Sequence, residues 1–196
     1  MSNAPPPKPA SMGDAPPSAK RASLWLWLPL ALFFGFFVLV MSGLISPGDR
    51  EVASAMVGKP LPPFALRPAV PDRPGLARAD MADGKPKLLN IFASWCIPCA
   101  VESPQLAALA AQGVEIDGVA IRDRQDDVQR FLAQNGNPFR RIGADDLSSI
   151  QLAIGSSGVP ETFVIDGRGV IRHQHIGDIR AEDVPAILEK LREAAR

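Results

Sequence analysis

"LLNIFASWCIPCAVESP" (residues 88–104) contains the only two cysteines of a 196-residue chain, Cys96 and Cys99, with Ile97 and Pro98 between them. It overlaps "KLLNIFA" (Lys87 to Ala93), a short apolar run suited to a strand buried on both faces. From Cys99 to Gln112 the pattern becomes helical: Leu106, Leu109 and Ala110 share one face, and Gly113 ends the element. The two thiols are therefore expected where a buried strand gives way to a helix, Cys96 at an exposed turn and Cys99 just inside the helix. A helix N-terminus carries about half a positive charge and unpaired N–H groups, and both stabilise the nucleophilic thiolate. Cys96 is thus the expected attacking sulfur and Cys99 the resolving one, and Pro98 is tolerated because first-turn N–H groups lack helical partners.

Other uses of the pair fit less well. A disulfide across so short a ring stabilises by roughly 2 kcal/mol, against about 3 for a fifteen-residue loop, so it makes a poor staple. A zinc site needs two further ligands, and only His173 and His175 are available. They sit one residue apart in a spacing that matches no common zinc pattern. Reversible dithiol chemistry remains, with no metal. No nicotinamide or flavin motif is present, so no cofactor is expected and reducing equivalents must come from another protein.

Outward from the dithiol, strand and helix signals alternate. "VEIDGVAI" reads as an alternating strand and "DDVQRFLAQNG" as a short helix stopped at Asn135-Gly136. "ETFVID" and "VIRHQHI", joined by "GRG", read as paired strands, with Ile171, His173 and His175 on one face. A final helix places Val184, Ile187, Leu188 and Leu191 at helical spacing. This order predicts an α/β sandwich with a mixed sheet. "RDRQDD" (122–127) reads as a solvated turn leading into a helix, and "GNPF" (136–139) as a packing corner.

The first part of the chain is of another kind. Residues 1–23 begin with a proline-rich segment, six prolines in the first twenty-one residues, expected to be a disordered cytoplasmic tail. Residues 24–45 carry no charge. Twenty-two helical residues reach about 33 Å, enough to cross a bilayer's hydrocarbon core. Lys8, Lys20 and Arg21 precede this stretch, and Trp25 and Trp27 lie where an interfacial aromatic belt belongs, so the rest of the chain is expected on the outer side. "ASA" (53–55) imitates a cleavage site, but the apolar run is too long for a signal peptide, which favours an uncleaved anchor. Residues 46–56 form the expected stalk, in a Pro-rich stretch extending to residue 75 with at most short strands, and 57–196 the globular domain. The whole chain is formally neutral. Its tail is slightly basic, so the domain is slightly acidic, with no basic stripe for nucleic acid.

"FASWCIPC", followed by Pro104, resembles the thioredoxin superfamily. With "VGKPLPPFAL", "NGNPF" and "GVPETFVIDGRGVIRHQHIG" in order, the chain is similar to the CcmG/DsbE family of membrane-anchored thiol:disulfide interchange proteins of cytochrome c biogenesis. The likeness runs from Val57 to the C-terminus. It implies a thioredoxin-like α/β fold, a mixed central sheet flanked by helices, behind one transmembrane helix. It implies a redox disulfide of Cys96 and Cys99, with Glu102 as a catalytic carboxylate three residues beyond Cys99 on the same helical face. It also implies a substrate groove of Trp95, Val159, Pro160 in cis, and Glu161. Asn90 stands where ordinary thioredoxins have a buried aspartate, which shifts the proton-handling role toward Glu102. Ser156, Ser157 and Val159 depart from the family pattern before the proline, so the groove's recognition surface is expected to differ.

The resemblance further implies a periplasmic domain tethered to the inner membrane. Its expected partners are the CxxCH segment of apocytochrome c, a membrane electron donor of the CcdA/DsbD type, and the haem-ligation machinery. The direction expected is reduction. Strongly oxidising dithiols lie about 150 mV, or about 7 kcal/mol, above thioredoxin and need a strongly stabilised thiolate. Here no base lies between the cysteines, and Glu102 opposes the thiolate. Two other functions fit the sequence less well. A thiol peroxidase needs Ser or Thr where Ala93 stands, and a copper-binding assembly module usually has three residues between its cysteines.

Overall fold

The computed structural model describes residues 23–45 and 55–196. All but the last residue of the expected tail (1–23) and most of the expected stalk (46–54) lie outside these residues. The chain divides into two compact units, Met1–Arg50 and Glu51–Arg196.

In the first unit, the uncharged stretch forms helix α1 (Ser23–Ile45), in which Pro29 is accommodated near the start. Along 27–42, where side chains are described, Trp27, Phe33, Phe36 and Leu39 are all exposed. Among the described residues no helix is long and apolar enough to cross a membrane.

The second unit is built on a five-stranded sheet. Its strands are β3 (Lys87–Phe92), β4 (Ile116–Ile121), β5 (Ile142–Asp145), β6 (Glu161–Ile165) and β7 (Ile171–Ile176), in the order β5-β4-β3-β6-β7. β3, β4 and β5 run parallel, whereas β6 pairs antiparallel with both β3 and β7. The parallel half is joined by helices α2 (Ile97–Ala111) and α3 (Gln125–Asn135), as parallel strands require crossover connections. Helix α5 (Val184–Ala194) closes the chain and buries Ile187 and Leu191. Every residue of β3 and β4 is buried. The alternation read in "VEIDGVAI" therefore did not mark a half-exposed strand: β4 lies between two others, and Asp117 is inside.

A small antiparallel hairpin, β1 (Ala65–Leu66) with β2 (Leu76–Ala77), precedes the sheet. Bridges Pro60–Val170 and Pro68–Gly143 fasten this region to β7's approach and to β5, and Leu61, Ala69 and Val70 are buried. The Pro-rich stretch beyond residue 57 is thus part of the packed unit rather than stalk. Three elements have no counterpart in the sequence reading, a short 3-10 turn (Arg78–Met81), β5 and the five-residue helix α4 (Ser149–Ala153). α4 starts where the Asp145 carboxylate accepts from the N–H groups of Ser149, Ile150 and Gln151 at 2.8–3.0 Å, which satisfies donors that a helix start leaves unpaired.

A bulge between Val164 and Ile165 shifts the β6–β7 register. It changes which β7 side chains turn inward. Ile171 and Gln174 are buried, whereas His173 and His175 are only half-buried, so the three residues expected on one face do not share one environment.

Candidate active site

β3 ends at Phe92, and the four residues 93–96 turn the chain into α2. Ser94 fixes this turn. Its N–H and hydroxyl donate to the Asp123 carboxylate at 2.5 and 2.7 Å, tying the turn to the loop after β4. α2 begins at Ile97, two residues earlier than the periodicity indicates, because Cys96 itself caps the helix: its Sγ accepts from the Cys99 N–H at 3.2 Å. Pro98 stands in the first turn, where its missing N–H costs nothing.

Cys96 and Cys99 form a disulfide, with Cα atoms 5.3 Å apart. In this bonded state Cys96 is buried, 4% exposed against 2% for Cys99. This corrects the expectation of an exposed sulfur. The exposed positions around it are Trp95, Ile97 and Val101. Both cysteines are thus buried to nearly the same degree, and Cys96 is set apart by its place as the helix cap.

Glu102 lies on the face of α2 below Cys99 and is fully buried. Its carboxylate accepts from Asn90 Nδ2 at 2.9 Å and from the Ile179 N–H at 3.1 Å. Burial raises its pKa from 4.5 to about 7, the two hydrogen bonds offsetting only part of the desolvation, with Asp178 adding a smaller upward push. Asn90 therefore does not merely lack the acid found in thioredoxins. From the centre of β3 it holds an acid borne by α2, and its Nδ2 also donates to Thr162 Oγ1 at 3.0 Å on β6. Cys99, Glu102 and Asn90 line one small cavity of about 10 Å³, walled by Phe92, Phe131 and Phe139. The "GNPF" corner is thus a wall of the site, with Phe139 stacked on Phe92 at 4.8 Å.

The opposite side of the site comes from β6. The Val159–Pro160 bond is cis. Because Ile91 pairs with Glu161, Pro160 sits level with the end of β3, where the dithiol turn begins. Val159 is half-buried and Pro160 buried. Glu161 is buried as well, but its carboxylate is committed to the loop before Pro160. It accepts from the Ser157 N–H at 2.8 Å, the Gly158 N–H at 3.1 Å and the Ser157 hydroxyl, and from Gln174 Nε2 at 2.8 Å. Instead of a second acid facing the groove, Glu161 is a clamp on the cis-proline loop. The serines that depart from the family pattern are part of the clamp, with Ser156 Oγ donating to the Gly158 carbonyl at 3.1 Å.

Trp95 is 56% exposed beside the disulfide, and its indole N–H reaches the Arg122 carbonyl at 3.4 Å. Neither that contact nor the Ser94–Asp123 bond was legible in "RDRQDD", which read as solvent-facing. An acid two residues after a buried strand was the available signal. His173 and His175 lie on β7, separated from β3 by β6. Among the described residues no group of three or more His, Cys, Asp or Glu could hold a metal ion.

A dithiol at a helix cap, a cis-proline loop abutting it and a mixed α/β sheet carrying both define a thioredoxin-like thiol:disulfide oxidoreductase. The comparisons agree. The Redoxin family matches residues 56–191. The chain is 41% identical over 159 residues to the thiol:disulfide interchange protein HelX of Rhodobacter capsulatus, covering 81% of this chain and 89% of that protein. It is 36% identical over 182 residues to the thiol:disulfide interchange protein DsbE of Escherichia coli K12, covering 87% and 97%. The crystal structure of a putative DsbE from Chlorobium tepidum superposes with a TM-score of 0.57 at 28% identity, covering 71% of this chain and 98% of that one. The chain belongs to the CcmG/DsbE family of thiol:disulfide interchange proteins, whose work is exchange with protein thiols.

Proposed function

We propose that this protein reduces the CxxCH disulfide of apocytochrome c before haem attachment, working from the periplasmic face of the inner membrane. The Cys96 thiolate attacks one substrate sulfur, the substrate S–S bond breaks, and the departing thiolate takes a proton. Cys99 then gives its proton to Glu102 and attacks Cys96 Sγ, which releases the second substrate thiol. Two electrons leave the dithiol and the Cys96–Cys99 disulfide forms. A membrane protein of the CcdA/DsbD type would restore the thiols, and haem-ligation components would receive the reduced cytochrome. The uncharged residues 24–45 support a membrane anchor, and the basic flank before them supports an outward-facing domain.

The observation that carries the direction is Glu102, a fully buried acid one turn from Cys99. When ionised it disfavours a second negative charge nearby, so the reduced pair is not strongly stabilised as thiolate. At neutral pH it is also poised to accept and return a proton. Between the cysteines no basic side chain acts the other way.

Equilibration of the protein against glutathione tests the direction. A potential well below about −180 mV is expected, whereas one near −120 mV refutes reduction as its role. Cys99→Ser should trap a mixed disulfide with an apocytochrome peptide through Cys96, and trapping through Cys99 in Cys96→Ser would reverse the assigned roles.

A further inference from the structure

Beside the dithiol turn, on the side away from the cis-proline, lies an open surface pocket of about 410 Å³. Its walls include Trp95, Arg122, Arg124, Arg130 and Phe131, with Asp123 and Asp127. Its formal charge is less balanced than the count suggests, because both acids are already engaged. Asp123 accepts from the Ser94 N–H and hydroxyl and from the Arg124 N–H. Asp127 is paired with Arg130. Asp126 does not line the pocket. The Arg122 and Arg124 guanidinium groups make no hydrogen bond or ion pair among the described residues. Two unpaired cations therefore face one concavity that shares Trp95 with the active site.

Arg122 is held there at a cost. Its φ is +44°, a left-handed conformation in a non-glycine residue. Its N–H donates to the Asp145 carbonyl at 3.2 Å and its own carbonyl accepts from the Trp95 indole. One residue thus places the indole next to the nucleophile and carries a free guanidinium at the pocket. Strained backbone of this kind concentrates at working sites.

We infer that Arg122 and Arg124 recognise an acidic side chain of the protein substrate lying beside its cystine, and so determine which disulfides are taken first. The inference rests on the proposed reductase function and adds a specificity to it. Guanidinium forks bind carboxylates in two-pronged fashion. The pocket is open rather than enclosed, which suits a side chain of a polypeptide already docked across Trp95 more than a buried small molecule. Exposed charges at the rim of an interface act on encounter and choice of partner, and salt weakens them.

The test uses the full chain in detergent micelles and two labelled peptides containing a CxxC sequence, one flanked by glutamates and one by glutamines. Binding is read by fluorescence anisotropy on versions with serine for cysteine, and a single turnover on the cystine versions, with the Cys96–Cys99 pair first reduced by dithiothreitol and the excess reductant removed. The acidic peptide should bind about tenfold more tightly at low salt, two exposed ion pairs being worth that much together, and the preference should shrink in high salt. Arg122→Gly, which suits the left-handed backbone, combined with Arg124→Gln should bring the ratio of the two affinities to about one. Equal affinities in the wild type, or a preference that survives the double substitution, would overturn the inference. A preference for the acidic peptide without any reduction of its cystine would refute the reductase reading and leave the recognition site standing. Tighter binding of free dicarboxylic acids than of the acidic peptide would assign the pocket to a small anion and overturn the peptide occupant.

Discussion

Replacing Glu102 by glutamine isolates the charge on the buried acid while keeping its shape. Glu102 has an ordinary pKa of 4.5 and is pushed up to about 7 in the folded protein. The native state therefore binds its proton more tightly than the unfolded chain does. The stabilising effect of that proton is complete below pH 4.5 and lost as pH rises through 7. A shift of that size corresponds to about 3 kcal/mol. Glutamine has no such transition. The introduced amide can accept from the Ile179 N–H, and its NH2 can donate to Asn90 Oδ1, now without a hydrogen-bond partner, once the Asn90 amide turns over from its present Nδ2 contact. Glu102→Gln should match the wild type at pH 4 and exceed it by about 3 kcal/mol at pH 8.5, a rise of about 1.5 M in the urea midpoint for a typical slope. The assay is urea unfolding of residues 51–196 with the disulfide intact, so that no thiol titrates. If the difference between the two proteins stays constant within about 0.5 kcal/mol across this range, Glu102 is not a perturbed acid and its proton-handling role falls.

Two further outcomes follow from groups outside the dithiol. Asp117, buried in β4, has its pKa raised by burial from 3.8 to about 6, with Lys87, Arg140 and Arg141 only partly compensating. Asp117→Asn should therefore add up to about 3 kcal/mol above pH 6 and nothing below pH 4, in a window lower than that of Glu102. Proton titration by unfolding at closely spaced pH values separates the two, and coincident windows would contradict the assignment. Phe139→Ala removes the ring stacked on Phe92 and opens the wall of the Glu102 cavity. It should cost about 3–5 kcal/mol of stability by chemical denaturation. A loss below about 1 kcal/mol would show that "GNPF" is not part of the core.

Much of this arrangement was legible from residues that interact locally. The apolar run of β3, the position of Pro98 and the periodicity of α5 each point to an element by its own pattern. β5 and α4 escaped because they are short and weakly apolar: "IGAD" and "SIQLA" take their order from β4 and from the Asp145 carboxylate. The site divides along the same line. The cysteine pair is a local motif. The Asn90–Glu102 bond joins residues twelve apart through the packing of α2 on β3, and the Glu161–Gln174 bond crosses from β6 to β7. No spacing announces such pairs, so Glu161 read as an acid of the groove when its carboxylate faces the loop. The accessibility of Cys96 was misjudged for a related reason: a cap residue at the end of a buried strand inherits the burial of both elements. Arg122 was hidden because a left-handed arginine has no sequence signature comparable to that of glycine.

The pairing of β3 with β6 has a mechanical consequence. The sulfur-bearing turn and the proline loop hang from adjacent strands in the middle of one hydrogen-bonded ladder. Neither can drift relative to the other unless that ladder opens, and central strands are the last to do so. On heating, catalytic competence should persist to the melting point of the sheet and vanish with it, without an earlier, inactive but folded stage.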